Sequence, residues 1–306
     1  MSTVFLGTTD FAVAVLERLA RSEAHRPGLV VTRPDRPSGR GRHLSSPPVA
    51  QAARELGLEL AQPERVNAPE SVERIARAQP SEVIVCAFGA LIAEPLLSAH
   101  ETLNVHPSLL PRWRGAAPVE RAIIAGDART GVSIMRLTAG LDAGPVCAVV
   151  TESIRAEDTY GTLAERLRER GGELLIEVLD RRARGEALEF REQDDAQATY
   201  AEKIVAADRV LDPLAPAVEV ERVVRALHPY IGARAALADG TMIGVHRAAL
   251  ASEHSASAAP GIFEREERLM LACSPGELEL LRVTPPGGHE MDGAAYLRGH
   301  VLRGRS

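Results

Sequence analysis

Asn104 and His106 are the first side chains in the sequence whose types and spacing suggest chemistry. They lie two positions apart at the end of the run 102–106, so alternation along a strand would point both from one face. Pro107 ends that strand, which leaves the imidazole at the edge where open α/β sheets bind ligands. A histidine in this position is usually structural when it stands alone, but the neighbouring amide favours a ligand site.

A third polar side chain belongs with these two. Asp142 stands in a turn between Gly140 and Gly144, a pattern that by itself is typical of an ordinary Asx turn. Together with Asn104 and His106 it supplies a carboxylate, an imidazole and an amide. Enzymes use such groups to move protons and to donate hydrogen bonds to developing charge. The three segments together are much rarer than any one of them, and we treat them as one candidate site.

Two other segments carry chemical motifs. The turn 7–12 lacks the second glycine of Gly-x-Gly-x-x-Gly, so it predicts a tight turn with a helix N-cap and not a dinucleotide site. The segment 32–43 carries four arginines against one aspartate, in a chain whose net charge is −6. Such a loop is as often solvated surface as a phosphate-binding site, and local clustering matters more than net charge.

Length and composition predict two domains, because 306 residues exceed what one hydrophobic core usually holds. The three cysteines form no close pair, which argues against a disulfide framework and a thiolate zinc site and favours a reducing cytoplasm. No basic stretch precedes a long apolar one at the N-terminus, and no membrane-spanning run occurs. We expect a cytoplasmic monomer that uses no metal.

The elements that must position the candidate site alternate between strands and helices, as in βαβ units. Apolar strands spaced in this way predict an α/β fold with a Rossmann-like parallel sheet covered on both faces. The predicted strands are 4–6, 29–31, 83–87, 102–105 and 132–135, and the predicted helices are 11–19, 49–56, 71–78, 118–125 and 159–179.

The pattern changes after the long helix. We predict a catalytic domain at 1–185, a polar linker at 186–206 and a smaller C-terminal domain at 207–306. In the last of these, short alternating segments between Gly and Pro turns predict an OB-like β-barrel. Its predicted helix is 217–227 and its predicted strands are 240–245, 268–272 and 278–283.

With these motifs in view, the sequence resembles the formyltransferases that use 10-formyltetrahydrofolate. The segments that carry this resemblance are 5–12, 86–89, 104–118 and 140–144. Three further segments are similar to one family among them, the methionyl-tRNA formyltransferases, and these are 34–42, 112–118 and 199–204.

The resemblance implies transfer of a formyl group from 10-formyltetrahydrofolate to the methionine amino group of initiator methionyl-tRNA, for translation initiation. Asn104 and His106 would then donate hydrogen bonds to the developing oxyanion. Asp142 would orient or tune His106 and help move the amine proton, without a metal. The implied folate residues are Phe88, Gly89, Ser108, Leu109, Leu110 and Pro111. The implied tRNA contacts are Arg36, Arg40 and Arg42, together with a tRNA-binding C-terminal domain.

Other functions remain open at this point. A formyltransferase for a sugar-nucleotide or another small amine would share Asn104, His106 and Asp142, but it would not need the arginine loop or the second domain. A folate-binding or tRNA-binding protein without catalysis is a second alternative, and the intact set of three argues against it. A dehydrogenase is the third, and its glycine motif is missing.

Overall fold

The computed structural model describes residues 2–38, 43–254 and 259–300. The chain divides into two compact units. The first comprises residues 1–118, 129–153 and 164–201, and the second comprises residues 119–128, 154–163 and 202–306. The functional division predicted above, with a linker at 186–206, stays a prediction.

The first unit contains short strands that are mostly buried. In chain order these strands are β1 (Thr3–Gly7), β2 (Pro27–Val31), β3 (Arg36–Ser38), β4 (His43–Ser45), β5 (Leu60–Ala61), β6 (Glu82–Cys86), β7 (Thr102–His106), β8 (Arg114–Gly115), β9 (Arg129–Arg136), β10 (Val146–Ser153) and β11 (Tyr200–Ala201).

The main sheet of this unit confirms the predicted α/β class. Its strand order is β10-β9-β7-β6-β1-β2-β5, and β5, β2, β1, β6 and β7 run parallel. Every residue of β1, β6 and β7 is buried, which is expected of parallel strands covered on both faces. The direction of winding reverses between β1 and β6, and ligand crevices lie beside such reversals in open α/β sheets.

The sheet differs from the sequence expectation at one edge. β9 pairs antiparallel with β7, and β10 pairs antiparallel with β9, so the parallel arrangement does not continue to this side. The sequence analysis did not predict β10. Its first five residues form an apolar run, but in its second half exposed and half-buried residues alternate, which is typical of an edge strand with one solvated face.

Helices connect these strands, and all of them except the short α4 were predicted close to their observed positions. α1 shows why: its buried residues recur every three or four positions, so that one apolar face packs on the sheet. The helices of this part of the chain are α1 (Asp10–Arg21), α2 (Pro48–Glu55), α3 (Pro69–Arg77), α4 (Leu96–Ala99), α5 (Pro118–Ala125) and α6 (Tyr160–Ala183).

The second unit contains a curled antiparallel sheet, in agreement with the predicted barrel-like domain. Its elements are α7 (Ala217–Leu227), β12 (Ala233–Ala236), β13 (Met242–Ser252), β14 (Gly261–Arg265), β15 (Arg268–Ala272), β16 (Glu277–Thr284), β17 (Met291–Asp292) and α8 (Gly293–Gly299). The strand order is β12-β13-β16-β15-β14, and β17 pairs with β16. Register shifts between β13 and β16 bend the sheet, and β12 comes into contact with β14.

Two further features of the chain bear on the sequence expectations. In the part of the chain that the structure describes, no helix combines the length and apolarity that a membrane crossing requires. Cys86, Cys147 and Cys273 are free.

Candidate functional site

The structure places Asn104 and His106 at the carboxyl end of β7, in the middle of the main sheet. β7 lies between β6 and β9, so its backbone is held on both sides. The exposed fractions of the two residues are 7% for Asn104 and 4% for His106. Polar side chains buried to this extent are shielded from bulk water, which strengthens electrostatic interactions among them.

Asp142 is brought to these two residues from a different segment of the chain. Asn104 donates a hydrogen bond from Nδ2 to Asp142 Oδ1 at 3.4 Å. The other carboxylate oxygen, Oδ2, lies 3.6 Å from His106 Nδ1. Asp142 therefore contacts both of the residues with which the sequence analysis grouped it.

The second nitrogen of the His106 ring has a fixed partner. Nε2 lies 2.9 Å from the backbone carbonyl oxygen of Trp113. A carbonyl only accepts hydrogen bonds, so Nε2 must carry a hydrogen and the neutral ring must have a bare Nδ1. His106 can therefore donate a hydrogen bond from Nδ1, the nitrogen near Asp142, only when the ring is protonated.

The turn around Asp142 holds the carboxylate in a conformation that is uncommon for residues other than glycine. The φ angle of Asp142 is +45°, in the left-handed region. Its Oδ2 accepts a hydrogen bond of 2.9 Å from the backbone N–H of Gly115. Gly115 has φ +117°, and a Cβ at that position would lie 2.8 Å from the carbonyl oxygen of Ala201, so glycine is required there.

Gly144 allows a second close approach in the same turn. A Cβ at this position would lie 1.9 Å from the backbone carbonyl oxygen of Arg136. We expect Gly144→Ala to lower the free energy of unfolding by about 1–3 kcal/mol, because backbone must move to admit the methyl group. We also expect a loss of activity, because the displaced turn carries Asp142. Chemical denaturation and initial rates measure the two effects.

Gly299→Ala is the matched control for this change. An added Cβ at Gly299 has no neighbour within 4 Å among the described residues, so this alanine should leave activity unchanged and should not lower the free energy of unfolding. Equal unfolding midpoints for Gly144→Ala and the unmodified protein would contradict the assignment of Gly144 as a packing glycine.

The segment that follows His106 is held to the sheet by hydroxyl groups. Ser108 is fully buried, and its Oγ donates to the carbonyl oxygen of Arg112 at 2.6 Å. Ser133 Oγ donates to the Ser108 carbonyl at 2.7 Å and accepts from the Leu110 N–H at 3.2 Å. Leu109 packs on β9, where its Cδ2 lies 2.5 Å from the position that a Cβ of Gly131 would take. Leu109, Leu110 and Pro111 are half-buried.

The other predicted folate residues follow β6, next to β7 in the sheet. Phe88 is buried in a hydrophobic cluster with residues of β1, β2 and β6, so its ring is part of the core. Its carbonyl oxygen accepts a hydrogen bond of 2.7 Å from Thr8 Oγ1. Gly89 is exposed, and its carbonyl oxygen accepts a hydrogen bond of 2.6 Å from Arg33. A ligand contact in this segment would therefore come from backbone and not from the phenyl ring.

The arginine loop is only partly described. Arg36 is exposed on β3, which pairs antiparallel with β4, whereas Arg40 and Arg42 lie outside the described residues. Asp35, at the base of this hairpin, accepts hydrogen bonds from Gln62 Nε2 at 2.6 Å and Ser46 Oγ at 2.9 Å. These two bonds lower the pKa of Asp35 below its ordinary value, with Gln62 as the larger cause.

Two further observations concern thiol chemistry and metal binding. Burial raises the pKa of the Cys86 thiol far above its ordinary value, so Cys86 stays a neutral thiol and not a nucleophile. Within residues 2–38, 43–254 and 259–300, no group of three or more His, Cys, Asp or Glu side chains is arranged to hold a metal ion.

Sequence reasoning missed some of the residues that hold this site together. Gln193, in the predicted linker, donates hydrogen bonds to backbone carbonyls of the Asp142 turn. Arg114 is buried and contacts Gln193. In the sequence, Gln193 stood out only as part of a polar segment and Arg114 only as part of the motif 112–118. Neither position indicates a partner far away in the chain.

Comparison with known families assigns both parts of the chain. The family model described as "Formyl transferase" matches residues 1–179, and "Formyl transferase, C-terminal domain" matches residues 203–301. Together these two models cover most of the chain and leave a short segment between them.

Curated relatives match over the full length. A methionyl-tRNA formyltransferase from Methylococcus capsulatus is 41% identical over 308 residues, which are 100% of this chain and 99% of the relative. Another methionyl-tRNA formyltransferase, from Halorhodospira halophila, is 41% identical over 301 residues, covering 98% of this chain and 96% of the relative.

Solved structures with the same fold are more distant in sequence. An N-formyltransferase from Helicobacter canadensis, in complex with folinic acid and dTDP-3-aminofucose, has a TM-score of 0.67 at 15% identity and covers 92% of this chain and 98% of its own. HypX from Aquifex aeolicus, in complex with tetrahydrofolic acid, has a TM-score of 0.64 at 18% identity over 99% of this chain. The present chain spans about half, 48%, of that HypX chain. At these identities the likeness concerns the fold alone.

Proposed function

We propose that this chain, which belongs to the formyl transferase family, transfers the formyl group of 10-formyltetrahydrofolate to the methionine amino group of initiator methionyl-tRNA. The observation that carries this proposal is the match of 41% identity along the whole length of a methionyl-tRNA formyltransferase. A formyltransferase for a sugar-nucleotide amine is the weaker alternative, because such enzymes are similar to this chain in fold only.

The donor set of the site suits formyl transfer. When an amine attacks a formyl carbon, a carbon–nitrogen bond forms and negative charge develops on the formyl oxygen. The bond from the formyl carbon to the folate nitrogen then breaks, and the proton that the amine loses can return to that nitrogen. The Asn104 amide nitrogen carries two hydrogens, one of which is directed to Asp142 at 3.4 Å. We assign the other as a hydrogen-bond donor to the developing charge, a contribution worth about 10²–10³ in rate where a single such donor has been removed.

We assign Asp142 as the proton acceptor. Its Oδ2 is already oriented by the N–H of Gly115 at 2.9 Å and lies 3.6 Å from His106 Nδ1. A proton taken up by Asp142 can pass to Nδ1, because the Trp113 carbonyl keeps the other ring nitrogen in its N–H form. Once Nδ1 carries this proton, it can donate a hydrogen bond, which the bare nitrogen could not do.

The residues of the site fit a folate-type formyl donor. Half-buried apolar side chains at Leu109, Leu110 and Pro111 follow directly after the catalytic strand, and they would line the donor, next to the backbone at Gly89. When bound, the donor supplies an activated formyl carbon. This chain's residues contribute the orientation, the exclusion of water and the handling of the proton described above.

A competition between acceptors tests the proposal. The protein is incubated with 10-formyltetrahydrofolate and equal concentrations of methionyl-tRNA and a dTDP-linked amino sugar, and each product is quantified. We expect formylation of methionyl-tRNA in large excess. A preference for the amino sugar would establish the alternative acceptor, and a lack of product with both would contradict formyl transfer by this chain.

The cellular setting is proposed in the same way. The acceptor belongs to translation initiation, and the three free cysteines agree with a reducing compartment, so we propose that the protein acts in the cytoplasm. The monomeric state stays a prediction, which light scattering coupled to size-exclusion chromatography would test.

A further inference from the structure

Gln193 contacts the catalytic turn from the segment that the sequence had indicated to be a linker. Its Nε2 donates one hydrogen bond to the carbonyl oxygen of Asp142 at 2.8 Å and another to that of Gly144 at 2.7 Å. Both hydrogens of one side-chain amide are thus used on the two carbonyls that flank Ala143. An amide nitrogen has only two hydrogens, so the turn uses the full donor capacity of Gln193 Nε2.

The orientation of the Gln193 amide is set from its other end. Its Oε1 accepts a hydrogen bond of 3.0 Å from Nε of Arg114. Arg114 is 3% exposed, and its Nη2 lies 2.7 Å from Asp195 Oδ1. A buried guanidinium that requires acceptors leaves the amide only one favourable orientation, with oxygen towards Arg114 and nitrogen towards the turn.

The same segment also holds β8, the strand whose Gly115 N–H donates to the Asp142 carboxylate. β11 pairs in parallel with β8, with Tyr200 opposite Arg114 and Ala201 opposite Gly115. Thr199 accepts hydrogen bonds from the N–H groups of Trp113 and Arg114, each at 2.9 Å. Gln193 therefore holds the Asp142 turn, and Thr199 and Ala201 hold the strand whose Gly115 N–H orients the Asp142 carboxylate.

We propose that Gln193 is a positioning residue for Asp142, a role that rests on the proposed formyl transfer. The left-handed backbone of Asp142 costs less for aspartate than for most residues with a Cβ, but the turn still gains from enforcement by its surroundings. Two hydrogen bonds on the carbonyls at 142 and 144 provide that enforcement. Gln193 touches no reacting atom in this role, and it acts by keeping the carboxylate beside Asn104 and His106.

The substitution Gln193→Glu tests the donor function alone. Glutamate has the same shape and still accepts from Arg114, but its carboxylate cannot donate to the two carbonyls and is repelled by them. We expect kcat to fall by about 10²-fold, the loss that a misplacement of about 1 Å can cause, while the KM values for folate and tRNA change little. Circular dichroism melting establishes that the variant is folded.

Gln197→Glu is the matched control. Gln197 lies on the same segment, is exposed, and donates to Asp194 Oδ2 at 2.8 Å without contact to the Asp142 turn. The substitution Gln197→Glu makes the same chemical change four residues away, and we expect it to leave kcat unaltered. A Gln193→Glu variant that is folded and retains kcat within twofold of the unmodified protein would overturn the proposal.

A double-mutant cycle separates positioning from a general structural effect. If Gln193 acts through Asp142, adding Gln193→Glu to Asp142→Asn should lower the single-turnover rate no further than Asp142→Asn alone. Multiplicative losses would mean that Gln193 acts independently of Asp142, and the proposal would be wrong. Should Gln193→Glu not fold, Gln193→Met, uncharged and similar in length, is measured with the same criteria.

The failure of this proposal is distinguishable from the failure of the proposed function. If the unmodified protein formylates no acceptor, the function itself is wrong. If it formylates methionyl-tRNA normally and the Gln193 variants do so equally well, only the positioning role is wrong.

Discussion

Replacing Asp142 with asparagine is expected to reduce kcat by about 10²–10⁴-fold, the usual contribution of a positioned general acid or base. Asparagine preserves the shape of the side chain and can still accept the hydrogen bond from Gly115. It cannot accept the amine proton. The loss should therefore appear in kcat, measured with both substrates saturating, while the melting temperature changes little.

The other two members of the site should show distinguishable losses. Asn104→Ala removes one hydrogen-bond donor and should lower kcat by about 10²–10³-fold. His106→Ala should also slow transfer strongly, and it should cost some stability as well because it removes the hydrogen bond from Nε2 to the Trp113 carbonyl. Asp239→Asn is the control, because Asp239 lies in another Asx turn, where its Oδ1 accepts from the Thr241 N–H.

A folded Asp142→Asn or His106→Ala protein with near-normal turnover at saturating substrate would remove that residue from the catalytic site. The remaining explanation for its burial and its contacts would then be structural.

Replacing Arg40 and Arg42 together with alanine is the second change for which we expect a large effect. Each arginine that neutralises an RNA phosphate releases counterions, so losing two contacts should raise the KM for methionyl-tRNA about tenfold or more at moderate salt. The dependence of log KM on log salt should flatten by about 0.7–0.9 per lost contact. The KM for 10-formyltetrahydrofolate should not change.

A control pair with the same change in charge exists elsewhere in the first unit. Arg21 and Arg77 are each 73% exposed at the side chain and lie in α1 and α3, where each pairs with a glutamate one turn away. Arg21→Ala/Arg77→Ala should leave the tRNA kinetics unchanged. Equal salt dependence for the loop variant and this control would mean that the loop is solvated surface.

Much of the fold could be predicted because its causes are local. The apolar face of α1 repeats every three to four residues, and α7 was predicted with the bounds at which it occurs, Ala217–Leu227. The edge strand β10 (Val146–Ser153) was not predicted, although its first five residues are apolar, because its pairing with β9 depends on the rest of the sheet. The arginines of the loop 32–43 are a similar case, because the sequence gives their charge but not their contacts.

The sequence by itself determined which residues form the candidate site. Asn104 and His106 had to share a face, because side chains alternate along a strand with a period of two and the strand ends at Pro107. The turn at Asp142 was equally local, since an aspartate between glycines at 140 and 144 is typical of an Asx turn. Resemblance of these segments to the formyltransferases followed from the same local residues.

Only the tertiary structure decided how these residues meet. Asp142 reaches Asn104 across 38 positions, and Gln193 reaches Asp142 across 51 positions, so neither contact leaves a periodic signal in the sequence. The Trp113 carbonyl selects which His106 nitrogen carries the hydrogen, and the pairing of β8 with β11 places that carbonyl. Hydrogen-bond partners at such separations are set by the packing of the whole unit, because a side chain's neighbours across a fold depend on every element that brings them together.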